Sequence, residues 1–295
     1  FEDIAEYEIV VRATDDGGFN VNPLSITEVI KIYLNDTNDA VISGFDGGID
    51  GMNGTNAALI TGEVVMLTKG GERVQILGSN FGSKHGGVYS VRATYGLSGT
   101  EYDATDCIIS VPYSVVSCSS APGVGKNLRW QVIVVDLLGK HWLNGQTSAS
   151  PFSGARTRYF APSISGLENH VDMSTNGGET IIIRGQNFGP SGTRILGYYG
   201  SKKSHNPTSP KYYQAVNCQV TKWPSIGSSE TDGEVECLTR SGVGADLLWR
   251  VVVMSQQSDL YDDGSRYASP KVTHIRINGT KQVLQTRGGE VIMLE

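Results

Sequence analysis

The chain has 295 residues, enough for two or three small domains, each with its own core. Its formal net charge is −6, but residues 1–40 hold nine acids against two bases, a net of −7, so the remainder stands near +1. Without clustered Lys and Arg the chain lacks the electrostatic footprint of a nucleic-acid binder. No run of about 18 apolar residues crosses a membrane.

Few stretches carry helical periodicity, and the 37 glycines punctuate short apolar runs, the pattern of an all-β chain. At the amino terminus Tyr7, Ile9, Val11 and Ala13 alternate with more polar positions, Asp15-Asp-Gly-Gly turns the chain, and Ile30, Ile32 and Leu34 alternate again up to Asp36-Thr-Asn-Asp39. The piece opens inside a strand pattern, without an initiator Met or a signal peptide. Both ends therefore read as internal to a longer protein.

Beyond residue 40 a repeat of roughly 110 residues organises the sequence. Gly70-Gly-Glu-Arg-Val-Gln-Ile-Leu-Gly-Ser-Asn-Phe-Gly82 recurs as Gly177-Gly-Glu-Thr-Ile-Ile-Ile-Arg-Gly-Gln-Asn-Phe-Gly189, and its opening returns at Gly288-Gly-Glu-Val-Ile-Met-Leu294. The spacing predicts strands at Arg73–Leu77 and Thr180–Arg184, closed by glycine turns from which Phe81 and Phe188 fold back onto the core. Trp130-Gln-Val-Ile-Val-Val135 and Trp249-Arg-Val-Val-Val253 are apolar and short, as strands covered on both faces would be, with each Trp in the core.

Four cysteines fall in pairs, Cys107 with Cys118 and Cys218 with Cys237, one pair per repeat. Cys118 precedes Trp130 by the same 12 residues that separate Cys237 from Trp249. The spacings do not suit zinc, and the five His are scattered. The pairs read as two disulfides between neighbouring strands, which persist in an oxidising compartment; four buried thiols are the alternative. Asn35, Asn53 and Asn278 open Asn-x-Ser/Thr triplets and suit a secreted chain as glycan acceptors.

The Gly-Gly-x-x-Val/Ile-x-Ile-x-Gly-x-Asn-Phe-Gly motif, with Cys followed by Gly-Val-Gly and Trp, resembles IPT/TIG domains, the immunoglobulin-like early-set β-sandwiches of plexin-type receptors, fibrocystin-like proteins and protist surface proteins. The resemblance implies tandem immunoglobulin-like β-sandwiches in a beads-on-a-string rod, with units at 41–160 and 161–270 and the start of a third at 271–295. Residues 1–40 resemble the last strands of a cadherin repeat. That resemblance implies that Asp15, Asp36, Asn38 and Asp39 help to bind Ca²⁺ at the junction, with Asp46 and Asp50 nearby; a solvated acidic turn is the other reading.

No phosphate loop, nucleophile elbow or His-Glu-x-x-His motif occurs, Asp262-Asp263 reads as a turn beside Gly264, and no enzyme is expected. Prolines at Tyr159-Phe-Ala-Pro162 and Tyr267-Ala-Ser-Pro270 stiffen the seams. The expectation is a structural or adhesive, cell-surface segment, at home in a surface filament such as a flagellar hair. Its partners would be other chains, copies of itself or glycans, without nucleic acid or membrane contact. A plexin-type receptor ectodomain and a carbohydrate-binding spacer of a secreted enzyme are the alternatives. The long loops Gly197–Pro210 and Trp223–Gly233 offer Tyr198, Tyr199, Lys202, Lys203 and Tyr212 as a partner surface.

Overall fold

A computed structural model describes residues 6–15, 25–33, 40–46, 58–60, 63–82, 89–136, 147–202, 212–226, 232–277 and 292–294. Its regular structure is all-β, with no α-helix among the described residues. β1 (Glu6–Thr14) and β2 (Ser25–Tyr33) form an antiparallel ribbon in which Ile9 faces Ile30.

The first repeat contains β3 (Val41–Asp46), β4 (Ala58–Ile60), β5 (Glu63–Met66), β6 (Arg73–Ser79), β7 (Tyr89–Gly96), β8 (Tyr102–Val111), β9 (Val115–Ser119), β10 (Arg129–Asp136), β11 (Thr147–Ala149) and β12 (Thr157–Tyr159). One seven-stranded sheet runs β11-β10-β7-β8-β9-β6-β3, and a smaller one β12-β5-β4. Within the larger sheet the long β8 links β7 to β9: Tyr102–Ala104 pair with β7, and Thr105 and, past a bulge at Asp106-Cys107, the later residues pair with β9.

The second repeat contains β13 (Ser163–Glu168), β14 (Thr180–Gln186), β15 (Ile195–Ser201), β16 (Tyr212–Gln214), β17 (Val216–Lys222), β18 (Asp232–Leu238), β19 (Leu247–Val253), β20 (Gln256–Gln257) and β21 (Tyr261–Ser265). Here two sheets separate, β13-β14-β18-β17 and β16-β15-β19-β20, with β21 also on β19. Ala215 divides what β8 keeps continuous, so β16 and β17 together match β8. β22 (Ile275–Ile277) and β23 (Ile292–Leu294) form a last antiparallel pair.

The repeated motif folds as its glycines require. Gly78 and Gly185 let the ring of the following Phe and an opposing carbonyl approach: a Cβ there would lie 2.0 Å from Val41 O and 1.9 Å from Ser163 O. Phe81 and Phe188 are thereby buried, the first against Val74, Ile76 and Trp130, the second against Ile181, Ile183 and Trp249, in two separate hydrophobic clusters. Both tryptophans are fully buried.

The strands of these tryptophans are not covered on both faces throughout. Trp130, Val132 and Val134 are buried while Gln131, Ile133 and Val135 are partly exposed, an alternation that leaves one face of β10 toward solvent. Asp262 and Asp263 lie within β21 rather than in a turn and are both exposed, with Asp263 Oδ2 3.6 Å from His170 Nε2.

Candidate functional site: the tyrosine latch and the seam between repeats

Each repeat builds the same polar cluster from residues far apart in sequence. Tyr95 of β7 stacks on Trp130 of β10 at 4.0 Å, and Trp130 Nε1–H donates to Thr157 Oγ1 at 2.8 Å. Ala121 N–H donates to Tyr95 Oη at 2.8 Å; Tyr95 and Tyr159 hydroxyls meet at 2.7 Å, and Tyr159 Oη donates to Ala121 O at 2.7 Å, closing a ring. In the second repeat Tyr199 stacks on Trp249 at 4.4 Å. Arg240 N–H donates to Tyr199 Oη at 2.8 Å, Tyr199 and Tyr267 meet at 2.8 Å, and Tyr267 Oη donates to Arg240 O at 2.6 Å.

A third tyrosine fixes the Gly-Val-Gly loop from below. Tyr102 Oη donates to Val124 O at 2.9 Å and accepts from Val124 N–H at 3.1 Å; Tyr213 does the same for Val243 at 3.1 and 3.2 Å. A Cβ on Gly123 would lie 2.7 Å from both Tyr102 Cε1 and Tyr159 Oη, and one on Gly242 2.7 Å from Tyr267 Oη. Glycine is therefore required for the loop to reach the latch. Burial pushes the Tyr95, Tyr159 and Tyr267 hydroxyls well above the ordinary phenol range. They stay protonated and act as hydrogen-bonding braces, not proton carriers.

The loop braced in the first repeat reaches into the second. Val124 is 8% exposed and packs in the hydrophobic cluster of Phe188, Ile195 and Trp249. Its Cγ1 is so close to Gly189 that a Cβ there would sit 2.3 Å away. Gln256 of β20, 6% exposed, donates through Nε2 to Tyr159 O at 2.9 Å, and Ile226 Cγ2 lies 3.1 Å from where Gly71 would carry a Cβ. At the same end Glu72 is 1% exposed and accepts from Ser120 Oγ at 2.8 Å, while its Oε1 meets no hydrogen-bond partner among the described residues. Burial raises the Glu72 carboxyl above its ordinary pKa, opposed by the Ser120 hydrogen bond.

The cysteines named from sequence lie on neighbouring strands and are bonded. Cys107 of β8 joins Cys118 of β9, and Cys218 of β17 joins Cys237 of β18, each with Cα atoms 4.1 Å apart. Two disulfides fit an oxidising environment. No helix among the described residues is long and apolar enough to cross a membrane.

The expected partner surface needs one correction. Tyr199 is fully buried against Trp249 and cannot meet a partner; Gly197–Ser201 is strand, not loop, so adjacent tyrosines face opposite sides. Tyr198 points the other way, half-buried and stacked on Tyr212 at 5.3 Å, with Lys202 exposed beyond it. Lys203 lies outside the described residues.

Asp15 is exposed just past β1, and Asp46 is exposed at the end of β3. Asp36, Asn38, Asp39 and Asp50 lie outside the described residues, as do Asn35, Asn53 and Asn278. Among the described residues no group of three or more His, Cys, Asp or Glu side chains could hold a metal ion. Sequence reasoning missed Val124, Gln256, Ile226 and Glu72; an apolar residue between two glycines, twice in register, was the available signal.

No protein-family model matches the chain, and no curated protein matches it.

Proposed function

We propose that this chain is a non-enzymatic structural or adhesive segment of a long extracellular protein. In this reading IPT/TIG-like sandwiches at 41–160 and 161–270 follow a cadherin-like end at 1–40 and stand end to end, and a third begins at 271–295. Contacts with copies of itself or with other extracellular chains carry the function.

The observation that supports it best is the packed seam. A tether needs only a flexible linker, whereas here Val124 is buried in its neighbour's hydrophobic cluster and Gln256 bonds back to Tyr159 O. Contacts of this kind resist bending between repeats, because any tilt exposes the valine and strands a buried carbonyl. The two disulfides support an oxidising compartment outside the cytosol. The chemistry of the tyrosine latch supports rigidity: packed rings whose hydroxyls are all bonded hold the loops in place.

Small-angle scattering and electron microscopy of the purified, oxidised chain test the reading. The expected particle is elongated, with the two repeats in line at one preferred angle. Side-by-side packing of the repeats into a compact particle, or a broad spread of angles, would refute it.

A further inference from the structure

The two repeats carry the same end surface, and among the described residues only one copy of it is covered. In the first repeat Thr68, Lys69, Glu72 and Val124 are 5%, 8%, 1% and 8% exposed. Their counterparts Thr175, Asn176, Glu179 and Val243 are all exposed, Val243 to 63%. Local geometry does not account for the contrast. Gly123 N–H donates to Thr68 O at 3.0 Å and Gly242 N–H to Thr175 O at 3.0 Å. Gly71 N–H donates to Ser120 O at 2.8 Å and Gly178 N–H to Thr239 O at 2.9 Å. Backbone and tyrosine braces agree, and what sets the first copy apart is the second repeat lying against it through Val124, Gly71 and Tyr159.

The chain beyond this end also follows the first seam. Tyr159 is followed three residues later by Pro162 and then by β13, whose Ile164 and Leu167 pack on the second cluster. Tyr267 is followed three residues later by Pro270, and Val272 and Ile275 stand at the matching places, 58% and 66% exposed. Gly288-Gly-Glu290 then repeats the motif that precedes β6 and β14. The same spacer, the same apolar positions and the same motif lead away from an uncovered copy of a covered surface.

We infer that the end formed by Thr175, Asn176, Glu179 and Val243 is the seat of a following β-sandwich repeat, the one whose opening the chain carries from Pro270, docked as the second repeat docks on the first. This rests on the end-to-end reading above. Val243 then enters the cluster of that repeat as Val124 enters the second, and the seam becomes a propagating joint rather than a single contact. A burial contrast between equal positions is a mark that ordinary surface valines lack.

The test uses a chain in which a second copy of residues 163–270 follows Pro270 in place of residues 271–295, since that sequence is the one seated on Val124. Amide hydrogen exchange over 175–179 and 242–245 is compared with the natural chain. The expected result is exchange slowed by about tenfold or more at both segments. Val243→Asp reverses the slowing in the lengthened chain and leaves the melting temperature of the natural chain unchanged, which separates docking from folding. Unchanged exchange at 175–179 and 242–245, with the added Trp core and disulfide formed, overturns the inference. In that case an elongated natural chain in scattering would leave the end-to-end reading intact, whereas a compact natural chain with protected segments would overturn that reading alone.

Discussion

Val124 and Val243 occupy the same braced Gly-Val-Gly loop, so Val124→Ala and Val243→Ala form an internally controlled pair. Fully burying a valine side chain stabilises by about 1.5–3 kcal/mol. Val124 is 8% exposed and Val243 63%, so roughly half of that gain depends on the neighbouring repeat. Truncation to alanine also leaves a small cavity beside Phe188 and Gly189, which close packing cannot fill without backbone movement. The expected loss is about 1–2 kcal/mol for Val124→Ala and under about 0.5 kcal/mol for Val243→Ala. Urea denaturation followed by tryptophan fluorescence reads both, with Trp130 in the first core and Trp249 and Trp223 at the second among the chain's four tryptophans. The Val124→Ala loss should appear in the transition of the second repeat, whose cluster the side chain completes. Equal effects of the two substitutions would refute the claim that the seam, rather than the loop, holds Val124.

Other outcomes follow from the same contacts. Glu72 is an acid with a raised pKa, so its stabilising contribution is present below the unfolded value and is lost as pH rises through the folded one. The melting temperature of Glu72→Gln relative to wild type should therefore climb as the pH is raised above about 4.5; a flat or falling difference contradicts the burial argument. Gly123→Ala drives a methyl into Tyr102 and Tyr159 and should cost about 1–3 kcal/mol in chemical denaturation. Glu101, by contrast, sits on an exposed turn, and Glu101→Gln should leave the latch intact. Removing Cys218–Cys237, which spans 19 residues, should cost about 2–4 kcal/mol, roughly 0.5 kcal/mol more than removing Cys107–Cys118, which spans 11; paired Cys→Ser variants measured by denaturant melts check the order.

Much of the fold was legible because its signals are local. Glycine pairs and Asn-Phe-Gly bracket β6 and β14, and the alternation around Ile9 and Ile30 gives the β1–β2 ribbon. Equal Cys-to-Trp spacing pointed to cysteines on adjoining strands. The misreading at Tyr199 has a plain cause. In a strand the face alternates at every residue, so Tyr198 and Tyr199 differ in everything that matters while looking alike in sequence. Aligning Tyr199-Gly200 with Tyr95-Gly96 settles the choice, since only one tyrosine can stack on the tryptophan of the partner strand. Both strands following the Gly-Val-Gly loops read as covered on both faces because Ile133 and Val252 are apolar where solvent permits it.

The seam was illegible for a deeper reason. Gly-Val-Gly, Thr-x-Gly-Gly-Glu and the tyrosine braces read identically in the two repeats, yet one set is buried and the other exposed. Burial here belongs to the pair of repeats, not to either alone, and no window of one repeat contains it. That explains an otherwise costly choice of residues. A valine held out on a glycine loop, its backbone clamped by a tyrosine hydroxyl on both sides, gains only part of its burial within its own repeat, as Val243 at 63% exposure shows. Clamped in advance, it loses little further freedom when a neighbour closes over it, so the contact contributes its full burial to the joint. In the proposed end-to-end arrangement, repeats built this way need no large interface to resist bending. They need a rigid peg, a proline spacer of constant length and a glycine at the receiving wall, and Val124, Pro162 and Gly189 supply these.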